Sequence, residues 1–323
     1  MTDADRFDLI VTAAHAETPL IRAIRLARPD GGALPSWAAG AHIDVRLPGG
    51  DTRSYSLINA SCDPAATIAP RSYLLGVRLE EPSQGGSTYM HSLNVGDVVT
   101  AAAPSNNFAL QLSSRPIVLL AGGVGVTPVV SMAAHLTASG HPYRFVYAGR
   151  TRAHLAFLSE IEALAGDRLA IHTDDASGIF DVKTLIQSLT ADEPLYCCGP
   201  RPMIDAAIAH TEAFGWAQGR LRFELFTSAS PRPGDASFEV VLNGSGQTFL
   251  IPADKTILGV LIEAGLDPLH DCKRGDCGIC QVGVIEGVPD HRDCVLSASE
   301  REAGKLMQIC VSRSKTPRLV LDL

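Results

Sequence analysis

Apolar and polar positions alternate with a period of two over the first third of the chain, in the short runs Phe7–Ala13, Ile21–Arg28, His42–Leu47, Thr52–Asn59 and Tyr73–Leu79. Turn-forming stretches such as Pro29-Asp-Gly-Gly and Pro48-Gly-Gly-Asp separate them. Many short strands with frequent turns predict an antiparallel barrel or sandwich over residues 1–110. From 111 to 227 the pattern switches to short apolar runs alternating with helical periodicity. Pro116–Ala121, Phe145–Gly149, Leu169–Thr173, Leu195–Cys198 and Leu221–Phe226 read as strands. Thr127–Ser139, Ala153–Ala165, Val182–Leu189 and Pro202–Phe214 read as the helices between them. That alternation predicts an α/β domain with a parallel sheet covered on both faces.

Residues 228–236, rich in Ser, Pro and Gly, have linker composition. Beyond them, over 237–323, Phe238–Leu242 and Gln247–Ile251 predict a hairpin around Asn243-Gly-Ser-Gly, Thr256–Ala264 a helix, and Leu319–Leu321 a closing strand. This is enough for a small α+β domain.

Composition narrows the classes. A chain of 323 residues with 46% hydrophobic and 19% charged residues is an ordinary folded protein of several domains. A net charge of −8 excludes the basic stripe of a nucleic-acid binder. The run Pro116–Ala134 carries no charge, yet its central glycines and Pro128 fit a strand–loop–helix unit, so no membrane span is expected. The acidic start lacks signal-peptide features, and eight cysteines in such a chain point to metal or redox chemistry in a reducing, cytoplasmic setting.

Two stretches of the barrel bear chemistry. In Arg53-Ser54-Tyr55-Ser56-Leu57, a guanidinium suits a phosphate, a phenol suits the face of a flat ring, and a hydroxyl suits its edge; an ordinary alternating strand is the plainer alternative. In Gly85-Gly86-Ser87, glycines before a helix present backbone N–H groups to an anion, against the plainer reading of a Ser N-cap. Together they favour a phosphate-bearing ring cofactor. In the α/β domain, Gly122, Gly123, Gly125, Thr127 and Pro128 form a loop whose glycines let backbone approach a pyrophosphate. Cys198-Gly199-Pro200 closes a later strand, where loops converge on a ligand crevice; a contact there is the reading of Cys198, with a structural core position as the alternative. Arg150 and Arg152 could accept a 2′-phosphate, whereas Asp174 and Asp175 would favour a ribose hydroxyl.

Near the C-terminus, Cys272, Cys277 and Cys280 stand at C-x4-C-x2-C spacing with Cys310 further on, the plant-type ligand pattern of a [2Fe–2S] cluster. Cys294 competes for the fourth place, and a zinc site using it is the alternative; zinc sites more often show paired short spacings. Exposure of the loop around Lys273, Arg274 and Asp276 is expected to decide partner docking.

In this order the pieces resemble the phthalate dioxygenase reductase family, which includes the vanillate O-demethylase reductases. The likeness runs over essentially the whole chain and rests on Arg53-Ser-Tyr-Ser, Gly85-Gly-Ser, the loop Ala121–Pro128, Cys198-Gly-Pro, Phe223-Glu-Leu-Phe226 and the four cluster cysteines. The resemblance implies an FMN barrel, an NAD(P)H domain and a β-grasp plant-type ferredoxin domain. It implies Arg53 and Ser87 at the FMN phosphate, and Tyr55 and Ser56 at the ring and its N5 edge. Gly122, Gly123, Gly125 and Thr127 would hold the nucleotide pyrophosphate, Cys198 would lie near the nicotinamide, and Phe226 would cover the flavin. Ser56, Cys198 and Phe226 would thus surround the hydride transfer. NADH is the implied donor, with NADPH possible, and a Rieske-type oxygenase the implied acceptor. The alternatives are an FAD-dependent reductase serving another acceptor and a non-enzymatic, metal-stapled nucleotide binder.

Overall fold

The computed structural model describes residues 6–83, 85–190, 192–226 and 232–323, which fall into two compact units, Met1–Glu224 and Leu225–Leu323. The expected linker falls partly on 227–231, outside the described residues.

In the first unit, strands β1 (Arg6–Ala16), β2 (Ile21–Ala27), β3 (His42–Arg46), β4 (Thr52–Ser56), β5 (Ser72–Arg78) and β6 (Val98–Ala102) form an antiparallel sheet of order β4-β3-β6-β1-β2-β5. The sheet closes where Ile58, just past β4, donates its N–H to Leu74 O of β5 at 2.9 Å. Alternation buries Leu9, Ile24, Leu26, Ile43, Val45 and Leu75 inside the barrel. The short helices α1 (Ala65–Ile68) and α2 (Gly86–Ser92) flank it.

The second half of this unit is a parallel sheet. Strands β7 (Ile117–Gly122), β8 (Tyr143–Gly149), β9 (Leu169–Thr173), β10 (Leu195–Cys198) and β11 (Leu221–Glu224) take the order β11-β10-β7-β8-β9. Its helices are α3 (Val126–Ala138), α4 (Leu158–Ala165), α5 (Asp174–Ser177), α6 (Val182–Ser188) and α7 (Arg201–Ala213). The expected helix Ala153–Ala165 is cut short: Phe157 takes a left-handed φ of 56° and donates its N–H to Glu17 Oε1 of the barrel at 2.9 Å. The uncharged run Pro116–Ala134 is β7 followed by most of α3, and no helix among the described residues is long and apolar enough to cross a membrane.

Barrel and sheet share a core in which Ile21, Ala23, Ala39 and Ile58 pack with Val129, Val130 and Phe157. Gly76 lies at a close approach between them. A Cβ there would lie 2.9 Å from both Phe157 Cε2 and Thr127 Cγ2. Buried Ser131 of α3 adds a polar bolt, donating to Leu57 O at 2.8 Å and accepting from Asn59 N–H at 2.9 Å.

The second unit is a mixed sheet of order β13-β12-β18-β14-β16, from β12 (Phe238–Leu242), β13 (Thr248–Ile251), β14 (Gln281–Glu286), β16 (Leu306–Gln308) and β18 (Arg318–Asp322). Strands β12 and β18 run parallel, the arrangement of a β-grasp, and a ribbon of β15 (Pro289–Asp290) and β17 (Arg313–Ser314) lies apart from the sheet. Helix α8 (Ile257–Glu263), capped by Thr256 Oγ1 accepting from Gly259 N–H at 3.0 Å, buries Ile257, Leu258 and Leu261. Helix α9 (Ala298–Ala303) carries a full Ser297–Glu300 capping box. Asp235 is anchored in this unit too. It accepts from Arg292 Nη1 at 2.8 Å, and Arg313 Nε lies 3.8 Å away. That cationic pair holds its carboxyl well below the usual range, Arg292 contributing most.

Candidate functional site: a nucleotide crevice and a four-thiol loop

The parallel strand order reverses between β7 and β10, and both glycine loops sit at the carboxyl ends of those two strands, where such sheets bind ligands. The loops touch. A Cβ on Gly125 would lie 2.2 Å from Cys198 O and 2.6 Å from Gly199 N, and one on Gly122 would lie 2.6 Å from Pro200 Cδ. A Cβ on Gly199 would meet Met203 Sδ at 2.8 Å. These three glycines therefore permit loop-on-loop packing. Gly123 differs, with φ of 54° and open space where a Cβ would point; it is the glycine of the loop that faces no protein neighbour.

Thr127 and Pro128 are buried within α3. The Thr127 hydroxyl donates to Val124 O at 3.0 Å and its methyl faces Gly76, so it braces the loop from inside. Cys198 is buried beside Ala121 on β7. Its neighbour Cys197 is fully enclosed, and burial pushes that thiol up to about 12, leaving it a core residue.

On the barrel, Arg53 and Tyr55 share one face of β4, and both meet Gly86. A Cβ on Gly86 would lie 2.7 Å from Arg53 Cγ and 3.2 Å from Tyr55 Oη. The start of α2 thus lies directly against the arginine stem. Burial pushes the Tyr55 phenol up, so it stays neutral. Arg53 donates through Nη1 to Thr52 O at 2.8 Å, with Asp51 3.7 Å from Nη2. Ser54 points the other way, exposed and donating to Asp44 Oδ1 at 2.6 Å, so it stands apart from Arg53 and Tyr55. Ser56 is buried at the strand end, one residue before the Leu57 carbonyl that Ser131 holds. Gly85, with φ of 93°, precedes α2. The Ser87 hydroxyl accepts from Glu80 N–H at 3.1 Å and contacts Ser83 Oγ at 2.9 Å, fixing the preceding loop against the helix. Phe226 stands at the start of the second unit, 39% exposed.

In the second unit the four thiols converge. The free thiols of Cys277 and Cys310 both hydrogen-bond to Cys272, which pulls the Cys272 thiol down and pushes theirs up; Cys310 also hydrogen-bonds to Cys280 and lowers it. Cys280 Sγ lies 3.5 Å from Gln308 Oε1, and Arg274 N–H donates to Cys272 Sγ at 3.3 Å. The loop needs three left-handed residues to wrap this way, Lys273 at 54° and Gly275 and Gly278 at 80°. Lys273 is the costly one, since a side chain disfavours that region. A donor set of four thiols drawn together by loop and strand fits a cluster held by four thiolates. Cys294 sits one residue past the buried Asp293, its N–H donating to Gly275 O at 2.9 Å.

The docking expectation needs correction. Arg274 and Asp276 side chains are 8% and 6% exposed and pair with each other, Nε to Oδ2 at 3.5 Å, which leaves Lys273 as the exposed charge of the three. They turn inward because Asp276 also accepts Leu225 N–H at 3.1 Å; its burial pushes the carboxyl up to about 6. Sequence reasoning missed this anchor, as well as Met203 and Ser131; only Gly76, a glycine inside a strand, carried a local signal of close approach.

Sheet, glycine loops and thiol loop together define an oxidoreductase with a nucleotide-binding domain and an iron–sulfur domain. Comparison with known proteins agrees: residues 119–208 match the oxidoreductase NAD-binding domain and residues 240–315 the 2Fe-2S iron-sulfur cluster binding domain. The chain is 41% identical to phenoxybenzoate dioxygenase subunit beta of Ectopseudomonas oleovorans, over 96% of this chain and 95% of that one. It is 40% identical to tetrachlorobenzoquinone reductase of Sphingobium chlorophenolicum, over 98% of each. The solved structure of phthalate dioxygenase reductase, described as modular for electron transfer from pyridine nucleotides to [2Fe-2S], aligns over 99% of both chains at 32% identity with a TM-score of 0.73. The chain belongs to the phthalate dioxygenase reductase family.

Proposed function

We propose that this reductase takes a hydride from NADH onto FMN and delivers the electrons singly, through a [2Fe–2S] cluster, to a Rieske-type oxygenase. Bound flavin supplies the junction between two-electron and one-electron chemistry, and a plant-type cluster supplies a one-electron carrier near −400 mV. The chain's own residues bind and orient. Arg53, with the start of α2 against its stem, pairs with the flavin phosphate; Tyr55 lies against the ring and Ser56 donates to its edge. Gly123 and its loop receive the pyrophosphate, and Cys198 borders the nicotinamide. Exposed Phe226 offers the ring that covers the flavin. Cys272, Cys277, Cys280 and Cys310 ligate the irons.

The observation that carries this reading is the bolt at Ser131. It joins the end of β4, with the residues proposed to bind the ring, to the helix that follows the nucleotide loop, and this supports a single crevice for both ligands. NADH is favoured over NADPH because Arg152 is occupied by Glu162, while Asp174 and Asp175 stand at the end of β9. Mass spectrometry of the extracted flavin separates FMN from FAD. Anaerobic mixing with NADH is expected to bleach first the flavin and then the cluster. A protein that stays colourless after reconstitution with iron, sulfide and FMN overturns the reading.

The likeness to tetrachlorobenzoquinone reductase favours a second reading, in which a quinone is the acceptor. Under it, the reduced protein is reoxidised by a chlorinated quinone faster than by any Rieske oxygenase.

A further inference from the structure

We infer that Asp276 is a positioning residue that fastens the cluster loop to the backbone at Leu225, where the chain leaves the nucleotide-binding sheet. Strand β11 ends at Glu224, so Leu225 carries the first backbone N–H after the last sheet position. That N–H donates to Asp276 Oδ2 at 3.1 Å. The carboxylate is 6% exposed, is balanced by Arg274 Nε at 3.5 Å, and offers an oxygen within 4.8 Å of the sulfurs of Cys272 and Cys277. One side chain thus touches the chain exit and the thiol set together.

A surface carboxylate would not be drawn in this way. Burying it demands compensation, which Arg274 supplies, and a charged acceptor holds an amide more firmly than a neutral one. The thiol loop thereby gains a fixed point on the first residue of its own unit. Its value for electron delivery rests on the function proposed above; the anchoring itself does not.

Two substitutions separate the possibilities. Asp276→Asn keeps an oxygen that can accept the Leu225 N–H, and Asp276→Ala removes it. Hydrogen exchange read at the Leu225 amide in the full-length, cluster-loaded protein is expected to be protected in wild type and in D276N. In D276A it is expected to run roughly tenfold faster or more, the loss of one hydrogen bond to a charged group. After anaerobic mixing with NADH, cluster bleaching is expected to slow at least tenfold in D276A and to recover in D276N, with flavin bleaching unchanged in both. Unchanged Leu225 exchange in D276A overturns the inference, as does equal slowing in both variants while Leu225 stays protected in D276N. Should D276A fail to load iron, exchange at Leu225 still decides: faster supports the anchor, unchanged overturns it. Flavin that NADH does not bleach in wild type sinks the functional reading and leaves the exchange result standing.

Discussion

Gly125→Ala tests whether the two glycine loops must touch for nucleotide to bind. The added methyl would sit 2.2 Å from Cys198 O, 2.4 Å from Cys198 C and 2.6 Å from Gly199 N. All three are backbone atoms, so no rotamer change relieves the overlap. Ordinary contact lies near 3.5 Å, and one loop must therefore retreat by more than about 1 Å. Overpacking of this kind costs about 1–3 kcal/mol. A displacement near 1 Å at a positioning element can cost roughly 100-fold in rate.

Flavin reduction by NADH is expected to lose about 10- to 100-fold in kcat/KM, mostly through KM. Stopped-flow flavin bleaching over a range of NADH concentrations measures it, with melting temperature recorded alongside. Gly140→Ala is the control. Its φ of 67° makes a side chain costly, by roughly 1 kcal/mol, yet nothing lies within 4 Å of the new Cβ and no loop moves. It should lower the melting temperature and leave KM alone. If Gly125→Ala keeps its KM within twofold of wild type, contact between the loops is not what shapes the crevice, and the reasoning fails.

Cys310→Ser is expected to abolish the visible absorbance of the cluster and its bound iron and sulfide, whereas Cys294→Ser retains both; loss only in the Cys294 variant reverses the ligand assignment. Asp235→Asn should destabilise the second unit by about 3 kcal/mol, because buried Arg292 and Arg313 lose an ionic partner, and chemical denaturation measures it. Since Asp235 is held below its unfolded value, its contribution is full above about pH 4 and is lost as pH falls toward the depressed folded value. The wild-type advantage over D235N should therefore shrink only under acid conditions; a gap that closes near neutral pH contradicts it.

What could be read from the chain alone follows the range of the interactions involved. Period-two alternation located β1 to β5, and the change to strand–helix alternation located the parallel sheet, because both patterns are local. Strand β6, Val98–Ala102, carries no polar–apolar alternation and emerges only through its partners, whereas β14 went unnamed although its buried Val282 and Val284 do alternate. The break in the expected helix at Phe157 depends on Glu17, remote in sequence. Cysteine spacing marked three of the four thiols outright. The pattern asks for a distant fourth cysteine without fixing its position, and the turn after β16 is what brings Cys310, in place of Cys294, into contact with Cys272 and Cys280.

The glycines of the nucleotide loop show the limit most clearly. By composition Gly122, Gly123 and Gly125 are equivalent, and each looks like a place where backbone meets pyrophosphate. In space, Gly122 and Gly125 are consumed by the second loop, and Gly123 alone has a left-handed backbone and an unobstructed side. On the function proposed above, the first two would act on the nucleotide indirectly, by setting the spacing between loops, and Gly123 would act directly. A methyl on Gly123 would project into open space, whereas a methyl on either neighbour would push protein against protein. The same residue in one short loop thus takes unequal parts, decided by Cys198, Pro200 and Met203 from a strand end and the start of the helix after it, more than seventy residues later in the chain.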